Sequence, residues 1–193
     1  IILTAIFTSI FGGVNTLWDR RYGFMNKALT SPISRSAIAL GKMSAISLIA
    51  ALQASLIIGI ALAIGVTFPN PLMIIPIMGI VILFSLGFSG ISVTLAATAK
   101  SQETFWGMIN LLGMPLFMLS PALFPLELLP NWLAVVAKLN PVTYTVLLVR
   151  ELMTGVSEGG VPILISIAVI FAFVVAMVAI ASYVFTREVN KPF

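Results

Sequence analysis

Long uncharged apolar segments alternate with short polar ones along this chain, and the pattern predicts membrane-spanning helices. A helix needs about 20 predominantly apolar residues to cross the hydrocarbon core of a bilayer. Four segments approach or exceed this length: 43–66, 72–99, 105–122 and 161–185. The chain opens on a further apolar segment, 1–17, which we interpret as the end of a membrane helix, and we expect at least one more helix before it. The pattern therefore predicts an all-α, polytopic transmembrane helical bundle.

The region 123–160 does not follow the simple spanning pattern. Its two apolar pieces, Asn131–Leu139 and Pro141–Thr154, are bounded by prolines and glycine. At 1.5 Å per residue each is about 14–21 Å long, less than a hydrocarbon core of about 30 Å. Asn131 and Asn140 occupy positions that suit helix N-caps. We predict a re-entrant helical hairpin on the external side, and the alternative is an external loop with amphipathic helices.

Composition places the chain among integral membrane proteins. Its mean hydropathy is +1.16 and only 8% of its residues are charged, whereas about a quarter are charged in soluble domains. The chain has no cysteine, which excludes disulfides, iron–sulfur clusters and a thiol nucleophile. The formal charge of +4 would suit a nucleic-acid partner. We expect none, because the basic residues are sorted by membrane side.

That sorting predicts the orientation of the chain. Eight of the ten basic residues fall in the first polar segment, in the turn 100–104 or in the C-terminal tail. They are Arg20, Arg21, Lys27, Arg35, Lys42, Lys100, Arg187 and Lys191. The positive-inside rule assigns these three regions to the cytoplasm, and the alternation of the spans requires the same assignment. We treat residues 1–193 as a single membrane domain.

Two near-matches to enzyme motifs do not hold. The sequence of Gly87–Gly90, GFSG, is similar to the serine motif of rhomboid proteases, but that serine needs a histidine base and the chain has no histidine. Ser36–Met43 ends like a phosphate-binding loop, yet Met43 stands where a serine or threonine should hold magnesium. The six acidic residues fall in loops or at helix ends. We therefore expect no catalytic, cofactor or metal site in this chain, and no enzyme activity.

Polar groups are scarce inside the predicted spans. Ion-coupled carriers usually keep ionisable residues within the membrane, and none is predicted inside the four complete spans. Gln53 and Asn110 are mid-span polar residues that could line a path, and Pro115 could act as a hinge or produce a static kink. A stripe of small residues predicts close helix packing, or a sliding surface. It consists of Ala51, Ser55, Gly59 and Ala63.

The first polar segment has the periodicity of a short amphipathic helix on the cytoplasmic membrane face. Its apolar stripe consists of Trp18, Tyr22, Met25, Leu29 and Ile33. Asp19 would begin this helix and Ser31-Pro32 would end it. Arg20 and Lys27 fall on the opposite face, with Phe24 beside them. Simple anchoring in lipid headgroups is one interpretation. A large aromatic residue on the polar face favours a docking role instead.

Two motifs now give a family resemblance that covers essentially the whole chain. One is DRRYGFMNKALTSPI (Asp19–Ile33), and the other is FPLELLPNWL…LNPVTY…R (Phe124–Arg150). In combination they resemble the ABC-2 type permeases of ATP-binding-cassette transporters, in particular the daunorubicin- and multidrug-exporter-like branch.

The resemblance implies a six-helix permease half in the plasma or inner membrane of a prokaryote, with a cytoplasmic C-terminus. It would form a homodimer and work with two ATPase subunits, which bind ATP and magnesium. The segment 18–35 would be a coupling helix seated on the ATPase, and the external hairpin would act as a gate. The implied docking residues are Asp19, Arg20, Gly23, Phe24, Lys27, Ser31 and Pro32. The implied gate residues are Pro130, Trp132, Asn140, Pro141, Tyr144 and Arg150.

The function expected on this basis is that of the permease subunit of an exporter. It would move a hydrophobic or amphiphilic substrate, such as a drug, lipid or glycan, out of the cytoplasm. ATP hydrolysis on the separate subunit would drive this export. Two alternatives remain from other classes, an ion-coupled secondary transporter and a non-transporting membrane assembly subunit.

Overall fold

The computed structural model describes residues 1–25, 30–66, 70–122, 130–156 and 160–188. Within these ranges the chain is helical and contains no strands, so the predicted all-α class is confirmed. Its helices are α1 (Ile2–Arg21), α2 (Arg35–Ala63), α3 (Ile74–Thr98), α4 (Gln102–Met118), α5 (Asn131–Leu139), α6 (Pro141–Thr154) and α7 (Ile163–Glu188). A short 3-10 turn, Pro71–Met73, leads into α3.

Side-chain caps explain where several helices begin. The Ser34 hydroxyl accepts a hydrogen bond from the Ala37 N–H (3.3 Å) and caps α2, which therefore begins eight residues before the predicted span 43–66. The Ser101 hydroxyl accepts from the Thr104 N–H (3.1 Å) and caps α4. Such caps satisfy backbone donors that have no partner within the helix.

Among the residues that the structure describes, three helical segments are long and apolar enough to cross a membrane, namely α2, Pro71–Thr98 and α7. A fourth exists only if α5 and α6, which are bent by 84° at their junction, are counted as one span. The predicted span 105–122 is instead the 17-residue helix α4, which ends at Met118. Pro121 follows this end closely, and a proline disfavours helical geometry in the residue before it.

Helix α3 occupies the centre of the bundle and packs against α1, α2 and α7. A Cβ placed on Gly13 of α1 would lie 2.6 Å from the Ser92 carbonyl oxygen of α3, so these two backbones approach closely. On the other side of α3, a Cβ on Gly90 would lie about 3.0 Å from Met43 of α2 and 3.1 Å from Met177 of α7. The GFSG sequence thus permits close packing, as expected for small residues between membrane helices.

The small-residue stripe of α2 does not pack as predicted. Ala51 is buried, but Ser55, Gly59 and Ala63 are exposed. A Cβ on Gly59 would meet no atom within 4 Å. Ala54 and Ile58, next to Ser55 and Gly59, are buried, so α2 still packs along these turns. A spacing of four residues drifts by about 40° per step around a helix, which turns the stripe away from the core.

The carboxyl ends of α1, α3 and α7 lie at the same end of the bundle as the amino end of α2, and we call this the basic end. Hydrogen bonds from basic side chains connect these helix ends. Arg20 of α1 donates to the end of α3, and Arg35 of α2 donates to the Thr186 carbonyl oxygen of α7 (3.5 Å). Basic groups are stabilising at carboxyl ends, where the helix dipole is negative.

Candidate functional site

The segment after α1 does not form the single helix predicted from Trp18 onward. Helix α1 continues to Arg21, and the Tyr22 N–H still donates to the Trp18 carbonyl oxygen (2.8 Å). The break comes at Gly23, whose φ of 76° is left-handed and suits glycine. Phe24 and Met25 then resume helical geometry. The prediction of a helix beginning at Asp19 is therefore wrong, because the periodic pattern runs through a helix break.

The predicted lipid-facing stripe is also divided by this break. Met25 is only 3% exposed and packs in a buried cluster with Ala39 and Met43 of α2 and Phe185 of α7. Trp18, Tyr22 and Ile33 are exposed, and Leu29 lies outside the described residues. Met25 therefore fixes the segment to the bundle and does not face lipid.

Two predicted docking residues form contacts within the chain. The Asp19 carboxylate pairs with the Lys42 ammonium of α2. The Arg20 guanidinium donates to the carbonyl oxygens of Ala96 (3.0 Å) and Ala97, in the last turn of α3. These carbonyls have no partners within their own helix. Asp19 and Arg20 are thus placed to hold α1 against α2 and α3.

Phe24 is a predicted docking residue that the structure leaves exposed. Its side chain is 61% exposed at the basic end, directly after the break at Gly23. Pro32 is exposed and Ser31 is partly buried. Lys27 falls within 26–29, outside the described residues. The accessible part of the predicted docking surface is therefore Phe24 together with Pro32.

At the other end of α4, Asn140 joins the predicted hairpin to the bundle. Its side chain is 5% exposed. The side-chain oxygen accepts from the Val142 N–H (3.0 Å), which caps α6 as predicted, and the side-chain nitrogen donates to the Leu116 carbonyl oxygen of α4. The same prediction for Asn131 is wrong, because Pro130 occupies the cap position and α5 begins with Asn131 itself.

The 84° bend between α5 and α6 is held by side chains of α6. The Thr143 hydroxyl donates to the Ala137 carbonyl oxygen (2.6 Å), and the Tyr144 hydroxyl donates to that of Lys138 (2.7 Å). Both acceptors lie in the last turn of α5, and the Ala137 carbonyl oxygen also accepts from the Asn140 N–H (3.1 Å). Pro141 takes the first position of α6, which its fixed φ favours.

The predicted gate residues therefore divide into two groups. The first group makes structural contacts and consists of Asn140, Tyr144 and Arg150. The Arg150 guanidinium donates to the Pro121 carbonyl oxygen beyond α4 (3.1 Å). Trp132 is 70% exposed and faces outward from α5, and Pro130 is exposed as well. Asn140 and Arg150 fix the position of the hairpin against α4, whereas Tyr144 holds the bend within the hairpin.

The sequence model of the ABC-2 type transporter family matches residues 1–154, from α1 to the end of α6. This chain belongs to the ABC-2 type transporter family. Its candidate membrane spans and this membership make it a multi-pass membrane protein of a transporter family.

Individual relatives carry the same description. The chain is 31% identical over 159 residues to the putative transport permease ycf38 of Pyropia yezoensis, covering 79% of this chain and 54% of the relative. It is 30% identical over 152 residues to ycf38 of Cyanophora paradoxa (76% and 52%). It is 22% identical over 144 residues to the probable multidrug ABC transporter permease YbhR of Escherichia coli K12 (74% and 39%). The chain spans about half the length of the ycf38 relatives.

The predicted path residues occupy different positions in this ABC-2 permease. The Gln53 side-chain oxygen accepts a hydrogen bond from the Thr8 hydroxyl, which joins α2 to α1. Asn110 is exposed on α4 and lines a small apolar pocket between α4 and α1. Pro115 lines a shallow groove between α4 and α5. Gln53 therefore serves helix packing, whereas the other two lie on accessible surfaces of α4.

An outward-facing aromatic surface escaped the sequence analysis. Phe7 and Phe11 of α1 are partly exposed and stack with ring centroids 5.7 Å apart. Phe11 also contacts Trp106 of α4 (5.6 Å), and Phe7 contacts Phe117 (5.4 Å). The four-residue spacing of Phe7 and Phe11 places them on one helix face. That spacing was the available signal, but it did not indicate which helix lies beside α1.

Proposed function

We propose that this chain forms the membrane permease part of an ATP-binding-cassette exporter. It would move a hydrophobic or amphiphilic substrate, of drug, lipid or glycan type, out of the cytoplasm. ATP and its magnesium ion would be bound and used by a separate ATPase subunit. Membership of the ABC-2 family supports this function, and the description of YbhR as a probable multidrug permease supports the drug-like substrate class.

The observation that carries the proposal is the exposure of Phe24 at the basic end. A 61% exposed aromatic side chain next to a glycine break offers a protruding apolar group. Burial of such a group against a partner is favourable by about 1.5–3 kcal/mol. We assign the docking surface to Phe24, Pro32, Ser31 and Lys27. Asp19 and Arg20 belong to the support behind that surface.

The orientation follows from charge. Six of the eight basic residues that the structure describes lie at the basic end, namely Arg20, Arg21, Arg35, Lys42, Lys100 and Arg187. The other two, Lys138 and Arg150, lie in the hairpin. The positive-inside rule assigns the end with more basic residues to the cytoplasm. The hairpin α5–α6 would then lie at the external side, as a re-entrant gate. We place the protein in the plasma or inner membrane of a prokaryote, as a homodimer in the lipid bilayer.

Single cysteines test the docking surface directly, because the chain has none of its own. Phe24→Cys in the full-length protein should react with a membrane-impermeant maleimide from the cytoplasmic side only. Co-expression with its proposed ABC ATPase partner should protect this cysteine. Val156→Cys is the control, since Val156 is 60% exposed at the opposite end of the bundle. It should react from the outside and stay unprotected.

Equal labelling of the Phe24→Cys variant with and without the ATPase would contradict the docking assignment. Reaction of both cysteines from the same side would contradict the orientation.

The double change Phe24→Ala and Lys27→Ala should abolish ATP-dependent export from vesicles while membrane insertion is kept. Export that follows a proton or sodium gradient without ATP would instead indicate a secondary transporter. Partner binding without movement of any substrate class would indicate an assembly subunit.

A further inference from the structure

Arg20 connects the end of α1 to the end of α3 through backbone groups. One guanidinium nitrogen, Nη1, donates to both the Ala96 and the Ala97 carbonyl oxygens. Helix α3 ends at Thr98, and the Ala99 N–H donates to the Leu95 carbonyl. Arg20 therefore supplies donors to the two acceptors that follow Leu95. Its positive charge also lies at the negative end of the α3 dipole.

The residues around Arg20 are attached to the other helices of the bundle. Asp19 pairs with Lys42 of α2, and Met25 is buried against α2 and α7. Phe24 thus projects from a short segment whose two flanks are fixed to three helices.

Neighbouring residues show that this arrangement is specific to Arg20. Arg21 has the same side chain and the same net charge, but it is exposed. Arg20 is partly buried and directed at α3. Within the described chain, α3 makes its main contacts with α1, α2 and α7. A shift of its carboxyl end is therefore felt by all three neighbours, since packed interiors transmit displacement.

We propose that Arg20 is a positioning residue that fixes Phe24 relative to the carboxyl end of α3. A displacement of Phe24 then reaches the centre of the bundle through the Arg20–α3 hydrogen bonds. The inference rests on the proposed function, in which an ATPase displaces Phe24. It also changes the role of Arg20, from a contact with the partner to the element that passes the partner's motion into α3.

The first test measures the position of Phe24 without any ATPase. Spin labels on Phe24→Cys and Lys100→Cys, placed in the full-length protein in lipid nanodiscs, report the distance between the segment and the end of α3. Lys100 is exposed and lies two residues beyond α3. With Arg20 present we expect one narrow distance distribution. Arg20→Ala should broaden it, and Arg21→Ala, the matched control, should leave it narrow.

Arg20→Lys covers the case in which the alanine variant does not insert. Lysine keeps the charge at the helix end but lacks the planar guanidinium, which holds the two N–H groups of Nη1 in a fixed direction toward the two carbonyl oxygens. We expect a distribution of intermediate width. The proposal would be overturned if the alanine variant gave a distance distribution as narrow as that of the parent protein. Where the alanine variant does not insert, the same result in the lysine variant would overturn it.

The second test separates this inference from the docking assignment. When Arg20→Ala is combined with Phe24→Cys, the introduced cysteine should remain protected by the ATPase. ATP-dependent export by the single Arg20→Ala variant, in which Phe24 is intact, should nevertheless fall by about tenfold or more, within the usual range of coupling between sites. If Arg20→Ala removed the protection of the Phe24→Cys cysteine by the ATPase and left the distance distribution unchanged, Arg20 would be a docking contact and the proposal would be overturned.

If the Phe24→Cys variant is never protected while Arg20 is present, the proposed function fails. The nanodisc distances would still decide whether Arg20 positions Phe24.

Discussion

The side chain of Asn140 hydrogen-bonds to the Leu116 backbone carbonyl, which attaches the start of α6 to the last turn of α4. The same side chain caps α6 through the Val142 N–H. One buried amide therefore satisfies two helix ends that belong to different parts of the chain. The two hydrogen bonds set the position of the hairpin. The cap of α6 and the contact with α4 can be separated experimentally.

Asn140→Ala should lower the free energy of unfolding by about 1–3 kcal/mol, because it removes a cap and leaves a buried carbonyl without its donor. Asn140→Asp keeps the cap but cannot donate to Leu116 when ionised. Thermal unfolding in detergent measures both effects. If the aspartate variant is as stable as the parent, the contact with α4 contributes nothing. Asn110→Ala is the control, since Asn110 is exposed.

Gly13→Ala should destabilise the protein by about 1–3 kcal/mol, because the added methyl group would lie 2.6 Å from the Ser92 carbonyl oxygen. The α1 and α3 backbones would have to separate. Gly59→Ala is the matched control in α2, where the methyl group meets nothing within 4 Å. It should be stabilising by about 0.5–1 kcal/mol through helix propensity. Thermal unfolding in detergent compares the two variants, and equal effects would refute the close α1–α3 contact.

The Asp19–Lys42 pair is partly solvent-exposed, with side chains 39% and 20% exposed. Such pairs contribute about 0–1 kcal/mol. A double-mutant cycle of Asp19→Asn and Lys42→Met should therefore give a coupling energy within that range, and it should decrease with added salt. A coupling well above about 1 kcal/mol would indicate that the pair is buried further in the assembled transporter.

The aromatic surface of α1 and α4 tests the proposed homodimer. In a chain without cysteine, any disulfide formed by a single substitution must join two copies. Phe11→Cys should cross-link in native membranes upon mild oxidation if the second copy packs on this surface. Leu164→Cys is the control, since Leu164 of α7 is 78% exposed. Cross-linking of the Leu164→Cys variant but not of the Phe11→Cys variant would move the dimer interface to α7.

Local sequence signals predicted the hairpin well and the first polar segment poorly. Prolines and Asn140 act on the backbone within one or two residues, so the bounds of α5 and α6 could be derived from them. The break at Gly23 could not, because glycine adopts a left-handed conformation only where the surroundings require it. The contact between Arg20 and α3 spans 76 positions. A periodic pattern carries no information about contacts between residues so far apart in the sequence. It therefore placed Met25 in the lipid-facing stripe, whereas the structure buries it in the bundle.

The length of α4 has a consequence for the surrounding lipid. Its 17 residues extend about 26 Å, roughly 4 Å less than the hydrocarbon thickness of an average bilayer. If α4 crosses the bilayer, one of its ends would lie below the water interface, where each open carbonyl is costly. Asn140 and Arg150 supply donors at the carboxyl end of α4, to the carbonyl oxygens of Leu116 and Pro121. We therefore expect these two side chains to offset the hydrophobic mismatch of α4, and thinner bilayers should favour dissociation of the hairpin from α4.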